Sequence, residues 1–363
     1  MAETNGAVVA RLIASQGWAP PIVLSDTDVE AIIGPMRRGR SYAAVLRGFR
    51  ELAGRERFDQ IHYAHDLVGR VPELCVNAYP EAERIVFGDA LGSVYHKRYT
   101  LALAAGATAL EARTVARGGR ERTSPVGIRA AVAVLRRAIQ GGPTEARPHV
   151  AELILPMDQT GTALEGTQLS IVPRDQVLGV IDECSRALPQ LAEWSKRHLS
   201  ETSAPHFLML LENFADAGMI GLDDEVAMYA AMVRATVPQG ATLILKAHPL
   251  IHSPVDAALR DVLHMEFNVV LMPRDLGRYP MELWRELAHS CKVLSVLSYC
   301  GISLPYLYGT PTLYPFGEGF IERFFPKRSW DQVREQETVC RGQLANLERW
   351  DGRGILWAGD VTA

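Results

Sequence analysis

"GATLILKAHPLIHSP", residues 240–254, decides how the chain is read. Thr242 to Leu245 form a short continuous apolar run, the length of a strand buried on both faces of a parallel sheet. The run ends in Lys246-Ala247-His248-Pro249. Pro249 has no N–H to give a ladder, so the strand stops there and the chain turns. A lysine at the end of a buried strand needs a partner or a task. In open parallel sheets, ligands bind beyond the carboxyl ends of the strands, which makes Lys246 and His248 candidates at once.

The same grammar extends in both directions. Downstream come apolar runs at 268–273, 292–298 and 311–317, separated by helical patterns at 254–264 and 280–290. Upstream, "HFLMLLE" (206–212) precedes the helical pattern 222–237. The first half carries strand-like runs at 21–26, 59–64, 83–89 and 151–158, with an amphipathic helix over 40–55. The stretch 175–199 reads as helix, and "SETSAP" after it marks a boundary. Strands alternating with helical crossovers predict parallel sheets, so the fold class expected is α/β, with two Rossmann-like domains facing a central cleft. The expected division is 1–198, 199–335 and a helical tail over 336–363, packing back on the first domain.

Composition narrows the function classes. The chain has 363 residues, more than one hydrophobic core usually serves, which supports two domains. A net charge of −4 without a basic face argues against nucleic acid as a partner. The basic run at 116–137 reads more simply as a solvated loop and helix face. Cys75, Cys184, Cys291, Cys300 and Cys340 show no paired spacing, as expected for reduced thiols in a cytoplasmic protein. No stretch is long and apolar enough for a transmembrane segment, while the aromatic "GILWAGD" leaves a peripheral membrane contact open.

Strand ends of the second half bring together Glu212, Lys246, His248, Pro249, Glu282, Ser295 and Ser298. One carboxylate, one cation, one imidazole and hydroxyls on a single edge suit a ribose and a phosphate. Each residue also has a plainer reading. Glu282, two residues after Pro280, favours a helix start; Ser298 caps a helix; His248 is a buried structural histidine. His248 and His252 are four apart, but Pro249 and the missing glutamate of an HExxH motif argue against metal. In the first half, "ERIVFGDALGSVYHK" (83–97) places Asp89 in a glycine-bearing loop, either as a turn residue or as a general base. Asp26 and Asp158 also follow expected strands and are further candidates on the acceptor side.

The order of these pieces, "FGDALGSVY", "LLENFADAGMIGLDDEVAMYAAMV", "LILKAHP", "YPMELW" and "VLSVLSYCG", resembles the bacterial sialyltransferases and polysialyltransferases of GT-B fold. The resemblance covers roughly 205–310, with a second patch at 83–97. It implies a metal-independent, inverting glycosyltransferase with a CMP-sugar as donor and no further cofactor. A glycan or small-molecule hydroxyl would be the acceptor. In that reading His248 assists CMP departure, Glu282 holds the ribose or cytosine region, Ser298 with Ser295 binds phosphate, and Asp89 is the base. Two positions depart from the family pattern: Ala90 follows the acid, and Tyr299 follows Ser298. A transferase using a CDP-polyol or UDP-sugar, and a non-catalytic nucleotide- or glycan-binding protein, are the alternatives.

Overall fold

The computed structural model describes residues 42–53, 57–64, 75–88, 148–156, 167–249, 252–351 and 356–357. The chain divides into two compact units, Met1–Pro173 and Arg174–Ala363. Each holds its own all-parallel sheet.

In the first unit, α1 (Tyr42–Ala53) turns Val45 and Phe49, one helical turn apart, into the core. Strands β1 (Gln60–Ala64), β2 (Glu83–Gly88), β3 (Val150–Leu153) and β4 (Gln168–Ile171) pair in chain order. Ile61, Ile85, Val86, Ala151 and Leu153 fill the interior. β4 is exposed along its length, as an edge strand with two polar residues in four can be; its weak pattern hid it from sequence reading. Asp89 follows the last residue of β2, and it lies outside the described residues, as do Asp26 and Asp158.

The second unit opens with α2 (Arg174–Arg186) and α3 (Pro189–Ser200), where the sequence pattern suggested a single helix. Proline explains the break: inside a continued helix, Pro189 would leave a carbonyl unbonded and press on the one four residues back. Here it takes the first position of α3, where its missing N–H costs nothing. The unit therefore begins at Arg174, earlier than the expected boundary after 198. The reason is packing. Arg174 donates twice to the Leu307 carbonyl (3.0 and 2.6 Å), Arg285 pairs with Asp182 at 2.7 Å, and Trp194 meets Trp284 edge-on.

Beyond them run β5 (His206–Leu210), α4 (Leu222–Thr236), β6 (Thr242–Lys246), α5 (Val255–Leu263) and β7 (Asn268–Leu271). A 3-10 turn (Met281–Leu283) and α6 (Arg285–Ser290) lead to β8 (Lys292–Leu294), α7 (Cys300–Tyr308), β9 (Thr312–Tyr314) and α8 (Glu318–Phe324). The long α9 (Lys327–Asp351) and β10 (Leu356–Trp357) follow. Within the expected tail over 336–363, the described residues belong to α9, which packs on α7 and α8, and to β10, which extends the sheet beside β9.

The sheet order is β10-β9-β8-β5-β6-β7, all parallel. Numbered within the unit this is 6-5-4-1-2-3, the order of a doubly wound, Rossmann-like sheet. Its direction of winding reverses between β5 and β8, the position at which open α/β sheets bind ligands beyond the carboxyl ends of their strands. Every residue of β6 is buried, as a strand covered on both faces requires.

Ile244 sits at the centre of β6 with no exposed surface. Ile244→Ala should cost about 2–5 kcal/mol of stability, read from the unfolding midpoint in denaturant.

Candidate functional site at the carboxyl edge of the second sheet

Adjacent strands carry the site to one place. β5 and β6 pair Leu210 with Lys246, and the ladder runs one step further, Leu211 N–H donating to the Lys246 carbonyl at 3.0 Å. Glu212 is the next residue, so its carboxyl stands beside the end of β6. From the other side of the reversal, the loop after β8 brings Ser298 near the Glu212 carboxyl, where its hydroxyl favours the charged form.

Lys246 is buried, 7% exposed. Burial lowers its affinity for a proton, while the neighbouring Cys300, Glu282 and Glu212 side chains act in the opposite sense. Burial also pushes Glu212 up to about 7, against the hydrogen bond from Ser298 and the Lys246 charge. His248 is half-buried two residues beyond β6, and burial together with Lys246 holds its imidazole below the ordinary histidine range. At rest near neutral pH it is therefore mostly uncharged. Pro249 is exposed at the turn.

Glu282 comes from the 3-10 turn. Its carboxyl accepts a hydrogen bond from Ser303, a fully buried residue of α7, and its backbone carbonyl accepts the Tyr308 hydroxyl at 2.6 Å. One carboxyl oxygen is thus already engaged by the protein, which the expected ribose contact did not foresee.

Ser295 differs from Ser298. It is 1% exposed, and a Cβ on Gly301 would stand 2.0 Å from its hydroxyl oxygen and 2.5 Å from its Cβ. It therefore lies under the first turn of α7, where it cannot reach a ligand directly as the sequence reading had it do with phosphate. Its structural consequence is that position 301 must be glycine for α7 to start where it does.

Four residues of this edge escaped sequence reading. Cys300 at the start of α7 lies close to Lys246 and Glu282; burial, then the Glu282 charge, push its thiol well above the ordinary range, so it is not a nucleophile. Tyr229 of α4 accepts the Glu212 N–H at 2.8 Å, and the charge of nearby Glu225 adds to burial in raising its phenol well above the ordinary range. Glu225, 1% exposed, receives the Ala215 N–H at 2.9 Å and pins the loop after β5. Asp216 of that loop accepts from His252 N–H (2.8 Å), Ser253 N–H (3.2 Å) and the Ser253 hydroxyl (3.2 Å). This joins the loop bearing Glu212 to the far side of the loop bearing His248. The usable signal was in α4, where Glu225 and Tyr229 lie one turn apart on the face that buries Val226, Met228, Met232 and Val233.

His252 enters through its backbone, and its side chain is exposed. Among the described residues, no group of three or more histidine, cysteine, aspartate or glutamate side chains could hold a metal ion. No helix among them is long and apolar enough to cross a membrane. Neither a protein-family model nor a curated protein matches the chain.

Two measurements check this construction. Gly301→Ala should destabilise the unit by roughly 1–3 kcal/mol through overpacking. Adding Ser295→Gly should recover much of that loss, a coupling that a double-mutant cycle in denaturant reads directly. Burial also raises Glu225 from 4.5 to about 7. The unfolded chain then ionises first as pH rises, so stability falls between those values and the full cost persists above them. Glu225→Gln should gain on the parent protein by up to about 3 kcal/mol on going from about pH 4 to about pH 8.

Proposed function

We propose that the protein is an inverting glycosyltransferase that moves a sialic acid or related nonulosonic acid from a CMP-sugar to a hydroxyl acceptor. The observation that carries this reading is the convergence of Glu212, Lys246, His248, Glu282 and Ser298 at the winding reversal of a doubly wound sheet. A GT-B arrangement of two Rossmann-like units is the finer fold that belongs with it, the second unit serving the donor.

In the proposed reaction the acceptor oxygen attacks the anomeric carbon while the bond from that carbon to the CMP phosphate oxygen breaks. The acceptor proton goes to a carboxylate, with Asp89, directly after β2, as the residue in that role. Negative charge develops on the departing phosphate. His248 answers it: burial and Lys246 keep the imidazole neutral at rest, and its ring N–H donates a hydrogen bond to the departing phosphate oxygen, with no proton transferred. Ser298 and Lys246 stabilise the same charge.

Calorimetry with CMP, CDP, UMP and UDP, followed by assay of CMP release from CMP-sialic acid, tests this. Cytidine nucleotides should bind in preference to uridine nucleotides. His248→Ala should slow CMP release about 10²–10⁴-fold. Asp89→Asn should abolish transfer and leave CMP binding intact. Equal binding of cytidine and uridine nucleotides removes the CMP-sugar assignment.

A further inference from the structure

The loop that carries His248 is held at both ends. At the near end, the last carbonyl of β6, that of Lys246, accepts the Leu211 N–H at 3.0 Å. At the far end stands Ser253, and both neighbours of β6 in the sheet reach for it. From the β5 side, Asp216 Oδ2 accepts the His252 N–H at 2.8 Å and the N–H and hydroxyl of Ser253, each at 3.2 Å. From the β7 side, Arg274 Nη2 donates to the Ser253 carbonyl at 3.0 Å and to Asp256, in the first turn of α5, at 3.1 Å. The donors and the acceptor of one residue are thus taken up by two different loops.

Both anchors are themselves backed. The Ala215 N–H, one residue before Asp216, donates to the buried Glu225 at 2.9 Å. Around it Ala217 N–H, Gly218 N–H and Met219 N–H close the turn on Asn213, Ala215 and Phe214 carbonyls, each at 2.9 Å. On the other side, Asp256 is 6% exposed, and its Oδ1 also accepts the Ala257 N–H at 2.9 Å. The His252 N–H chiefly holds the Asp216 carboxyl below its ordinary range, so its bonds are charge-assisted at neutral pH. Pro249 and Pro254 flank residues 250–253, and each fixes its own φ near about −65°. Little of the loop is left to adjust once Ser253 is pinned.

We infer that Asp216 and Arg274 are positioning residues for His248: they brace Ser253 from both sides, so that the loop presents the imidazole to the donor phosphate before any donor binds. The brace rests on these hydrogen bonds, and only its consequence for turnover rests on the donor-site reading.

The test follows the His248 ring by NMR titration of the full chain, its signal assigned by loss in His248→Asn, beside CMP release from CMP-sialic acid and calorimetry with CMP. In the unaltered protein the ring titrates below the ordinary histidine range, through burial and Lys246. Asp216→Ala should free the loop, moving that titration up toward about 6.5. It should lower kcat for CMP release about 10–10²-fold with CMP affinity nearly unchanged, since Glu282 and Ser298 stand on other connections. Asp216→Asn, whose amide oxygen accepts the same donors, should restore both readings. Arg274→Lys keeps a cation for Asp256 but loses the planar fork, and should shift the ring in the same direction. Arg234→Ala, which breaks the pair with Glu266 between α4 and the turn after α5, is the control for lost stability and should leave the ring where it was. A ring unmoved in Asp216→Ala, or moved equally in Asp216→Asn or Arg234→Ala, overturns the inference and leaves the donor reading standing. A ring that moves only when the brace is cut, in a protein that neither binds CMP nor releases it, sustains the brace and sinks the donor reading.

Discussion

Lys246 ends a strand whose every residue is buried, and the second unit is arranged around that fact. A cation in such a place is tolerated only with counter-charge and hydrogen-bonding groups nearby. The partners come from three separate connections: Glu212 after β5, Glu282 in the 3-10 turn, and Cys300 at the start of α7. These segments meet beyond the carboxyl ends of the strands, next to the point where the sheet reverses its winding between β5 and β8. The position at which such sheets bind ligands is thus the one that supplies the lysine with neighbours.

A second layer of buried polar groups holds the loops that line this edge. Glu225 fastens the loop after β5 from below, Tyr229 fixes the Glu212 N–H, and Asp216 ties the same loop to residues 252 and 253. Glu225 and Glu212 are both raised by burial, so neither is held because its charge stabilises the fold. They oppose stability at neutral pH and above. Such groups suit a place whose geometry matters more than its contribution to folding, and the apolar core of β5, β6 and α4 offsets the cost.

His248 and Lys246 were visible because a proline-terminated apolar run announces a strand end, and strand ends of parallel sheets share one edge. Ser298 was visible for the same reason. Ser295 followed that logic and is nevertheless buried, because strand periodicity does not report that the next helix starts on top of it with a glycine. Glu282 was expected at the edge, while its bond to Ser303, 21 residues away, depends on how the 3-10 turn meets α7. Asp89, Asp26 and Asp158 stand outside the described residues.

What the sequence by itself determined is the class of architecture: short apolar runs alternating with helical periods require parallel strands and crossovers, since each period allows one way of burying its face. It also determined where β6 stops, through Pro249, whereas β5 and β8 end at Leu210 and Leu294, short of the expected 212 and 298. The order β10-β9-β8-β5-β6-β7, and with it the meeting of Glu212 with Ser298, was decided only in three dimensions. So was the assignment of α2, α3, α9 and β10 to the second unit. The reason is physical: local pattern specifies which face of an element is buried, whereas which element covers it depends on packing and charge contacts between residues up to 133 positions apart.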